Sequence, residues 1–480
     1  SSDLIGRDLD ASTSGLAWVI NSYMLAFAAP LIAVGRLADI IGRRKVLIAG
    51  VVLFTVGSIA SGAAPDLAVM IAGRVVQGVG AAMFYSTSLS LVSNAFSREQ
   101  RGTAIGLWTA VGSIGSAIGP LIGGVFTQEL SWRWFFFLNI PICIAAIALV
   151  LWKVKESRDE TADRSIDITG FILVTVGLVA VVLGIQEIDT SGWDSLNVLG
   201  PLIGGVVLLG VFTLVELHKR NPLVDFKLFR NRDYLGSSLV AFTANVIFGA
   251  MIFFVTLYLQ EALDYDPVSA GLVMLGFSLP FAIMSPIAGR MMVRFGAGPL
   301  MVVGMIGLAV SCTMFALIEP DSGVDIAVIA MVLSGIFQGF AYNVSTTAAM
   351  SAISEQKAGV ASGVLSSIRI FAITFGVAGI GVVVKSFENS KLADFAGLSG
   401  DARSEVAGLL SGSISAEHKL TELSPQLAGK AEGLVREAFV GGFTAGMWVC
   451  VGVALVGLVG ALFVHKHVVA PDQELEPEPV

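Results

Sequence analysis

Residues 115–124 read GSAIGPLIGG, and this stretch lies in the middle of a long apolar segment. Glycines spaced four apart share one face of a helix, and a face without side chains lets a second helix approach closely. A proline within a helix removes one backbone donor and bends the helix. The stretch predicts either a kinked membrane helix that packs tightly and rocks, or simple close packing. The residues of this motif are Gly115, Gly119, Pro120, Gly123 and Gly124.

The composition of the chain is typical of a membrane protein. Of its 480 residues, 55% are hydrophobic and 14% are charged, whereas a soluble domain carries about 25% charged residues. The net charge of −8 argues against nucleic acid as a partner. The sequence contains no HExxH, Walker or GxSxG motif, and its three cysteines form no cluster with metal-ligand spacing. We therefore expect no enzyme, no metal site and no cofactor.

Thirteen apolar segments are long enough to cross a bilayer, which takes roughly 18–25 residues. Short polar loops separate most of them, and one long polar segment covers residues 386–438. The sequence thus predicts an all-α polytopic membrane protein. The predicted spans are 16–36, 46–64, 67–92, 102–127, 135–153, 168–188, 196–217, 235–260, 269–289, 299–318, 325–350, 359–384 and 439–464.

Basic residues fall almost entirely on one set of alternate loops. Nineteen Lys and Arg lie there, whereas the opposite short loops hold only Arg7 and Arg133. Because loops rich in Lys and Arg stay in the cytoplasm, we expect the C-terminal tail inside and residue 1 outside, in a plasma or inner membrane. An outside residue 1 without a signal peptide further predicts a first helix that this sequence lacks, for fourteen in total.

The two halves of the chain repeat a weak pattern at nearly equal offsets. Three matches occur in the same order, at offsets of 254, 261 and 257 residues. Two similar helical bundles around a central site are a common plan of transporters. Spans 168–188 and 196–217 have no counterpart, so they are interpreted as an insertion. The matching pairs are Gly35–Gly42 with Gly289–Gly296, Gln77–Gly78 with Gln338–Gly339, and Gly102–Gly106 with Gly359–Gly363.

The repeat divides the chain into four predicted parts. Residues 1–153 form the N-terminal bundle, and residues 154–234 hold the two inserted helices with flanking cytoplasmic loops. Residues 235–465 form the C-terminal bundle, which includes the outer loop 386–438. Residues 466–480 form a cytoplasmic tail. We expect the functional site to lie between the two bundles.

Several motifs resemble signatures of one transporter family. Residues 35–45, GRLADIIGRRK, are similar to the cytoplasmic signature loop of the major facilitator superfamily, and residues 74–78, RVVQG, resemble its fourth-helix signature. Residues 115–124 resemble the fifth-helix signature associated with antiporters. The inserted helices resemble the fourteen-helix drug:proton antiporter branch of EmrB/QacA type, as do residues 132–141, 222–230 and 258–260.

This resemblance implies the major facilitator fold, with two pseudo-symmetric six-helix bundles plus two inserted helices. It implies a secondary transporter in the lipid bilayer that exports small amphipathic drugs or toxic compounds in exchange for protons, and we expect a monomer. Export of a native lipid or metabolite on the same scaffold is the alternative. A non-transporting sensor or scaffold is a third interpretation, but it would need neither the antiporter glycines nor a cytoplasmic latch.

Two arginines lie deep within the predicted spans, and no carboxylate lies near the midplane. Arg74 is about 10 Å and Arg369 about 18 Å into its span, from the rise of an α-helix. Arg74 is interpreted as a coupling residue, with snorkelling or structural hydrogen bonding as the alternative. Arg369 is too deep to snorkel. It needs an acidic partner from the absent first helix, carbonyl groups, or a cavity in which it meets substrate.

The proton carrier must be a group that titrates. A guanidinium does not lose its proton in proteins, so neither arginine serves. We expect the carrier to be an acid on the absent first helix, with Glu187, Glu216 and Glu261 at span edges as weaker candidates.

A gate latch is predicted at the cytoplasmic surface around Asp39. Its carboxylate is positioned to accept from Arg101 or from a helix N-terminus, whose partial positive charge favours an anion. Such a contact acts as a latch if it forms in one conformation only, and the alternative is a static salt bridge of little energetic weight. Arg43 in the same loop is a second gating candidate or a topology signal. The equivalent position in the second half is Val293, so the latch is one-sided.

Polar residues within the spans are candidates for the lining of an apolar pocket that binds amphipathic compounds. Taken singly, each is more often a hydrogen bond between packed helices than a ligand contact. The candidates are Asn21, Tyr23, Gln77, Trp108, Asn245, Tyr258, Gln260, Gln338, Tyr342 and Asn343.

Overall fold

The computed structural model describes residues 8–9, 13–28, 30–158, 167–187, 195–219, 226–319, 322–353, 358–394 and 425–465. In this part of the chain every regular element is helical. A short 3₁₀ turn covers Phe226–Arg230, and a π turn covers Tyr258–Ala262. The α-helices are α1 Thr13–Ala28, α2 Leu31–Ile41, α3 Arg43–Gly62, α4 Leu67–Ala95, α5 Arg98–Glu129, α6 Trp132–Phe137, α7 Asn139–Lys153, α8 Ile168–Gln186, α9 Leu196–His218, α10 Arg232–Leu257, α11 Pro267–Phe295, α12 Ala297–Ala316, α13 Val324–Ser351, α14 Ala358–Asp394 and α15 Pro425–Leu462.

Helices form along the apolar segments because a chain in lipid must satisfy its backbone polar groups internally. Side chains at the helix ends supply partners for the first amides, which have none within the helix. Asp66 accepts from the amide of Val69 at 2.9 Å where α4 begins. Asp266 accepts from the amides of Val268 and Ser269 at 3.0 and 3.1 Å where α11 begins. These caps fix the start of both helices.

The described residues contain ten helical segments long and apolar enough to cross a membrane, with α6 and α7 counted as one segment. An eleventh span follows if α1 and α2 are one span, bent by 54° next to Pro30. The predicted spans 102–127 and 168–188 fall on α5 and α8, where several side chains lie outside the described residues. The predicted all-α polytopic membrane fold is confirmed.

Two bundles and an inserted helix pair make up the fold. Helices α1 to α7 form the first bundle and α10 to α15 the second, and α2 and α5 of the first bundle pack closely against α14 and α11 of the second. The inserted helices α8 and α9 pack mainly against each other. Their contact is close because it uses small residues: a Cβ on Gly205 would lie 2.7 Å from the carbonyl oxygen of Gly177. The insertion therefore stands beside the two bundles as a unit.

One position of the repeat is visible in the backbone of both halves. Gly42 joins α2 to α3 with a φ of +120°, and Gly296 joins α11 to α12 with a φ of +82°. No other glycine of the described residues has a positive φ. Only glycine adopts such angles at little cost, so each helix pair needs glycine at its junction. Three residues before Gly42 lies Asp39, which is buried, and three residues before Gly296 lies Val293, which is half exposed. The two junctions are therefore chemically different.

Candidate functional site

The loops rich in Lys and Arg meet at one end of the molecule, which we call the basic face. It comprises residues 36–45, 98–101, 153–158 and 290–294, together with the beginning of α14. Contacts across this face join the first bundle to the second, and they place several of the predicted site residues.

Asp39 joins the two bundles at the basic face. Its side chain is 1% exposed, and Arg43 donates to Oδ1 from Nε at 3.1 Å and from Nη2 at 2.8 Å. The amide of Val360, in the first turn of α14, donates to Oδ2 at 3.0 Å. The predicted contact of Asp39 with a helix N-terminus is thus present, and the helix dipole favours an anion there. Arg101 lies buried nearby on α5.

The segment after α7 holds the loop that carries Arg43. The amide of Arg43 donates to the Ser157 carbonyl at 2.9 Å, and its Nη1 donates to the Ser157 hydroxyl at 3.3 Å. Glu156 accepts from the amide of Arg44 at 3.0 Å and caps α3. A Cβ on Gly42 would lie 2.7 Å from the Glu156 carboxyl group. Arg43 is therefore fixed on both sides, by Asp39 and by residues 156–157.

Glycines bring α5 and α11 into backbone contact near the basic face. A Cβ on Gly102 would lie 2.7 Å from the carbonyl oxygen of Gly289, and one on Gly106 would lie 2.5 Å from the Cα of Pro286. Neither position has room for a side chain. The backbones of α5 and α11 are therefore in direct contact at these glycines.

Asn343 crosses from α13 to the same contact. Its amide nitrogen donates to the Ser285 carbonyl of its own bundle and, at 3.4 Å, to the Gly102 carbonyl of the other. The side chain is fully buried. Asn343, predicted as a cavity residue, thus fastens the two bundles together in this conformation.

In the glycine motif predicted to pack closely, the described residues place no neighbour against Gly115 or Gly119. A Cβ on Gly115 or Gly119 would meet no described atom within 4 Å. The surroundings of Pro120, Gly123 and Gly124 lie outside the described residues, although α5 continues through them. The described contacts between α5 and the second bundle lie nearer the basic face, at Gly102 and Gly106.

Two tyrosines from opposite bundles meet in the interior. The hydroxyl oxygens of Tyr85 on α4 and Tyr342 on α13 are 3.2 Å apart. The ring of Trp108 lies 5.4 Å from that of Tyr85, and its Nε1 donates to the Ser88 hydroxyl at 3.1 Å. Phe27 packs edge-on against Tyr85 at 5.5 Å. All four rings are partly exposed, so they form the wall of a space between the bundles.

Arg369 lies behind these rings and is 1% exposed. Its Cζ is 4.2 Å from the centre of the Tyr342 ring, and Nη1 donates to the Tyr342 hydroxyl at 3.5 Å. Nη2 donates to the hydroxyl of Thr346. Among the described residues no carboxylate forms an ion pair with this guanidinium, and Nε has no hydrogen-bond partner. We call Phe27, Tyr85, Trp108, Tyr342 and Arg369 the central cluster.

Arg74 has a different environment, within the first bundle. It donates to the Val19 carbonyl at 3.1 Å and to Gln77 Oε1 at 2.6 Å. Its guanidinium also lies 4.2 Å from the ring centre of Tyr23. Gln77 in turn donates to the Ser58 hydroxyl at 2.7 Å. Arg74, Tyr23 and Gln77 thus tie α1, α3 and α4 together, which favours the structural interpretation of all three side chains.

Other cavity candidates also bond within one bundle. Gln338 donates to the Ala244 carbonyl at 3.1 Å, and Asn245 donates to a carbonyl of its own helix at 2.7 Å. Tyr258 is 1% exposed and stacks on Phe443. Packing between helices accounts for these contacts better than ligand binding does.

The last two cavity candidates add little to the site. Gln260 is partly exposed on the π turn that ends α10. Asn21 lies outside the described side chains. Of the ten candidates, the central cluster therefore retains Trp108 and Tyr342.

The sequence prediction missed Tyr85, the partner of Tyr342. A usable signal was present, because the two residues are 257 positions apart, within the range of the repeat offsets. Helices α4 and α13 carry the matching Gln-Gly pairs of the two halves. Residues on symmetry-related helices meet where the helices face the axis between the bundles. A tyrosine at the repeat offset in each half was therefore a candidate for contact.

Two helical bundles that meet around a buried polar centre, with ten membrane-length segments, define a multi-pass membrane transporter. The chain belongs to the Major Facilitator Superfamily, whose family model matches residues 1–377. The human organic anion transporter MFSD10 (TETRAN) has the same fold. Its crystal structure gives a TM-score of 0.60 at 14% identity and covers 96% of this chain and 88% of that one.

Bacterial relatives of the chain are drug resistance proteins by name. Multidrug resistance protein Stp of Mycobacterium tuberculosis is 35% identical over 390 residues, which are 81% of this chain and 72% of that protein. The tetracenomycin C resistance and export protein of Streptomyces glaucescens is 31% identical over 478 residues, 99% of this chain and 88% of that protein. The predicted family is confirmed over most of the length of the chain.

Proposed function

We propose that this protein is a secondary active exporter of small amphipathic drugs or toxic compounds, driven by exchange for protons. The named activities of its relatives, resistance and export, support this substrate class. The composition of the central cluster supports it as well, because aromatic rings with a few polar groups suit amphipathic ligands.

One observation carries the mechanism: in the described part of the chain, the hydrogen bonds that join the bundles lie between the basic face and the centre. Hydrogen bonds from Val360 to Asp39, from Asn343 to Gly102 and between the hydroxyls of Tyr85 and Tyr342 connect the bundles from the basic face to the centre. Beyond the centre, the described residues place no neighbour against Gly115 or Gly119 of α5. A site closed on one side and open on the other is one half of an alternating-access cycle.

The orientation follows from the basic loops. With the basic face in the cytoplasm, the open side of this conformation faces outward and the substrate leaves from it. Export then requires that the Asp39 contact break to admit substrate from the cytoplasm. The two ends of the cycle thus use different surfaces, the latch at the basic face and the bare glycines of α5.

Proton exchange needs a carboxylate, because the buried guanidinium groups of Arg74 and Arg369 stay protonated. In the described part of the chain, the buried carboxylates are Asp39 and Glu216. Asp39 belongs to the latch. Glu216 lies at the end of α9 near Asp167, which forms an ion pair with Lys219. Both are candidates for a proton site that titrates during transport.

The test is proton flux in proteoliposomes that carry a pH-sensitive dye. A panel of neutral, cationic and anionic lipophilic compounds is added on one side, and proton movement is recorded with wild-type protein, with Asp39→Asn and with empty liposomes. We expect wild type to move protons in the direction opposite to the compound, Asp39→Asn to do so much more slowly, and empty liposomes to show no such movement. A compound flux whose rate does not depend on the pH gradient would contradict proton exchange. Transport of lipids but of no drug would favour the native-lipid alternative.

A further inference from the structure

The charge of Arg369 is unbalanced in the described part of the chain. A guanidinium that leaves water loses its hydration, and an interior site must supply a counter-charge or a full set of acceptors. Arg369 donates to the hydroxyls of Tyr342 and Thr346, interacts with the Tyr85 hydroxyl and faces one ring, and its Nε has no partner among the described residues. Neutral hydroxyls leave the charge uncompensated. The site is therefore poised to accept a negative charge.

The hydrogen bonds around Arg369 form a directed chain. Arg369 has only donors, so the Tyr342 oxygen accepts from it. Tyr342 and Tyr85 then share one hydrogen bond, to which either contributes the proton. Two hydroxyl protons and one shared bond leave one proton without an acceptor among the described residues. An oxyanion beside the two hydroxyl groups would accept that proton.

Aromatic rings surround the hydroxyl groups of Tyr85 and Tyr342. Trp108 and Phe27 flank Tyr85, and Phe281 packs edge-on against Tyr342 at 5.7 Å. The rings that face the space between the bundles are partly exposed, whereas Arg369 is covered. A ring system attached to an acidic group would place its ring on these aromatic faces and its charge toward the tyrosine hydroxyls.

We propose that the central cluster binds the acidic group of an anionic amphiphile, specifically a carboxylate attached to an aromatic or alicyclic body. This inference rests on the proposed export function and names the substrate class for it. The hydroxyl proton of the Tyr85–Tyr342 pair that is not used between them donates to the carboxylate, and the guanidinium of Arg369 supplies the counter-charge. The same charge repels a cationic compound, which sets this site apart from a general apolar pocket.

Three fluorescent probes with one ring system test the charge preference. The probes are 1-pyrenebutyrate, 1-pyrenebutanol and 1-pyrenebutyl-trimethylammonium, which are anionic, neutral and cationic. Equilibrium binding is measured on purified protein for wild type, Arg369→Gln, Arg369→Lys and Tyr85→Phe. Arg294→Gln is the control, because it removes the same charge from an exposed position at the basic face.

We expect wild type to bind the anion about tenfold more tightly than the alcohol, as for a hydrogen bond to a charged group. Arg369→Gln should bring this ratio close to one, while Arg369→Lys and the control variant keep most of it. Tyr85→Phe should lower affinity for the anion and leave affinity for the alcohol unchanged.

Other outcomes overturn the inference. It fails if the cation binds best, or if the ratio is unchanged in Arg369→Gln. It also fails if Arg369→Gln lowers the affinity for all three probes equally and Arg369→Lys does not restore the preference for the anion, provided that thermal unfolding shows Arg369→Lys to be folded. Arg369 then has only a structural role. Flux of the same probes in proteoliposomes separates the two proposals. If none is transported, the export function fails, whereas transport without charge preference overturns the anion site alone.

Discussion

The carboxylate of Asp39 and the amide of Val360 lie 3.0 Å apart across the boundary between the two bundles, although 321 residues separate them in the chain. Val360 is in the first turn of α14, so the contact places a negative charge at the positive end of a helix dipole. Arg43 holds the other oxygen of the same carboxylate. The basic face is therefore closed by one buried charge with partners from both bundles.

Asp39→Asn should impair turnover more than binding. The substitution removes the charge that the α14 N-terminus and Arg43 stabilise, so it shifts the populations of the two conformations without altering the central cluster. We expect export to fall about tenfold, as for the loss of a charge-assisted hydrogen bond, and substrate affinity to stay within about twofold. Binding and export of one compound are measured together, with Asp233→Asn, at the beginning of α10, as a control. Lost binding with unchanged exchange kinetics would contradict a latch.

Gly289→Leu should open the basic face. Any side chain at this position meets the backbone of Gly102, so the closed arrangement of α5 and α11 is excluded. The readout is maleimide labelling of a cysteine placed at Ser86, which is fully buried beside Ser362 at the bundle contact, after removal of the native cysteines. We expect labelling to become faster and export to be lost. Unchanged protection of that cysteine would argue against the proposed closure.

Gly119→Leu, unlike Gly289→Leu, should leave the cysteine at position 86 protected from labelling. Position 119 is open in this conformation, so a side chain fits here and interferes only if the distant half of α5 must later pack against a partner. We expect a folded protein that does not transport and whose Ser86→Cys site stays protected. Normal transport by Gly119→Leu would show that the bare glycine face is not needed for the cycle.

Gly42→Ala should destabilise the protein. Its φ of +120° is unfavourable for any residue with a Cβ, and that Cβ would also meet the Glu156 carboxyl group. We expect a loss of about 1–3 kcal/mol, measured by thermal unfolding in detergent. Adding Glu156→Ala removes the contact but not the backbone strain, so the double variant should recover only part of the loss. Full recovery would mean that the backbone angle costs little.

The cap at Asp266 should show a defined pH dependence. Hydrogen bonds from the side chain and the amide of Ser269 hold the pKa of Asp266 below its ordinary value of 3.8. A carboxylate with a lowered pKa stabilises the fold above the ordinary value, and this contribution is lost as the pH falls through the lowered one. Asp266→Ala should therefore lower the unfolding temperature at neutral pH, and the difference should shrink only below about pH 3.8. A difference that persists in stronger acid would argue against this cap.

The sequence by itself determined the helices, their order and the family. Hydropathy is local, and a backbone in lipid satisfies its hydrogen bonds only as a helix or a closed barrel, so apolar length largely decides the element. The loop around Asp39 and the glycine pair at 42 and 296 also follow from sequence, because a turn with positive φ needs glycine. The depth of Arg369 without an acidic neighbour in sequence was likewise visible.

Only the tertiary structure decided which helix faces meet. Periodicity predicted close packing at Gly115 and Gly119, but the packed glycines are Gly102, Gly106 and Gly289. The polarity of residues within the spans marked Tyr342 without its partner Tyr85. It also marked Gln338 as a cavity candidate, and Gln338 donates to the Ala244 carbonyl within its own bundle. The reason is physical: membrane helices are apolar on all sides, so the rotation of each helix and the closure of one end depend on contacts between segments hundreds of residues apart.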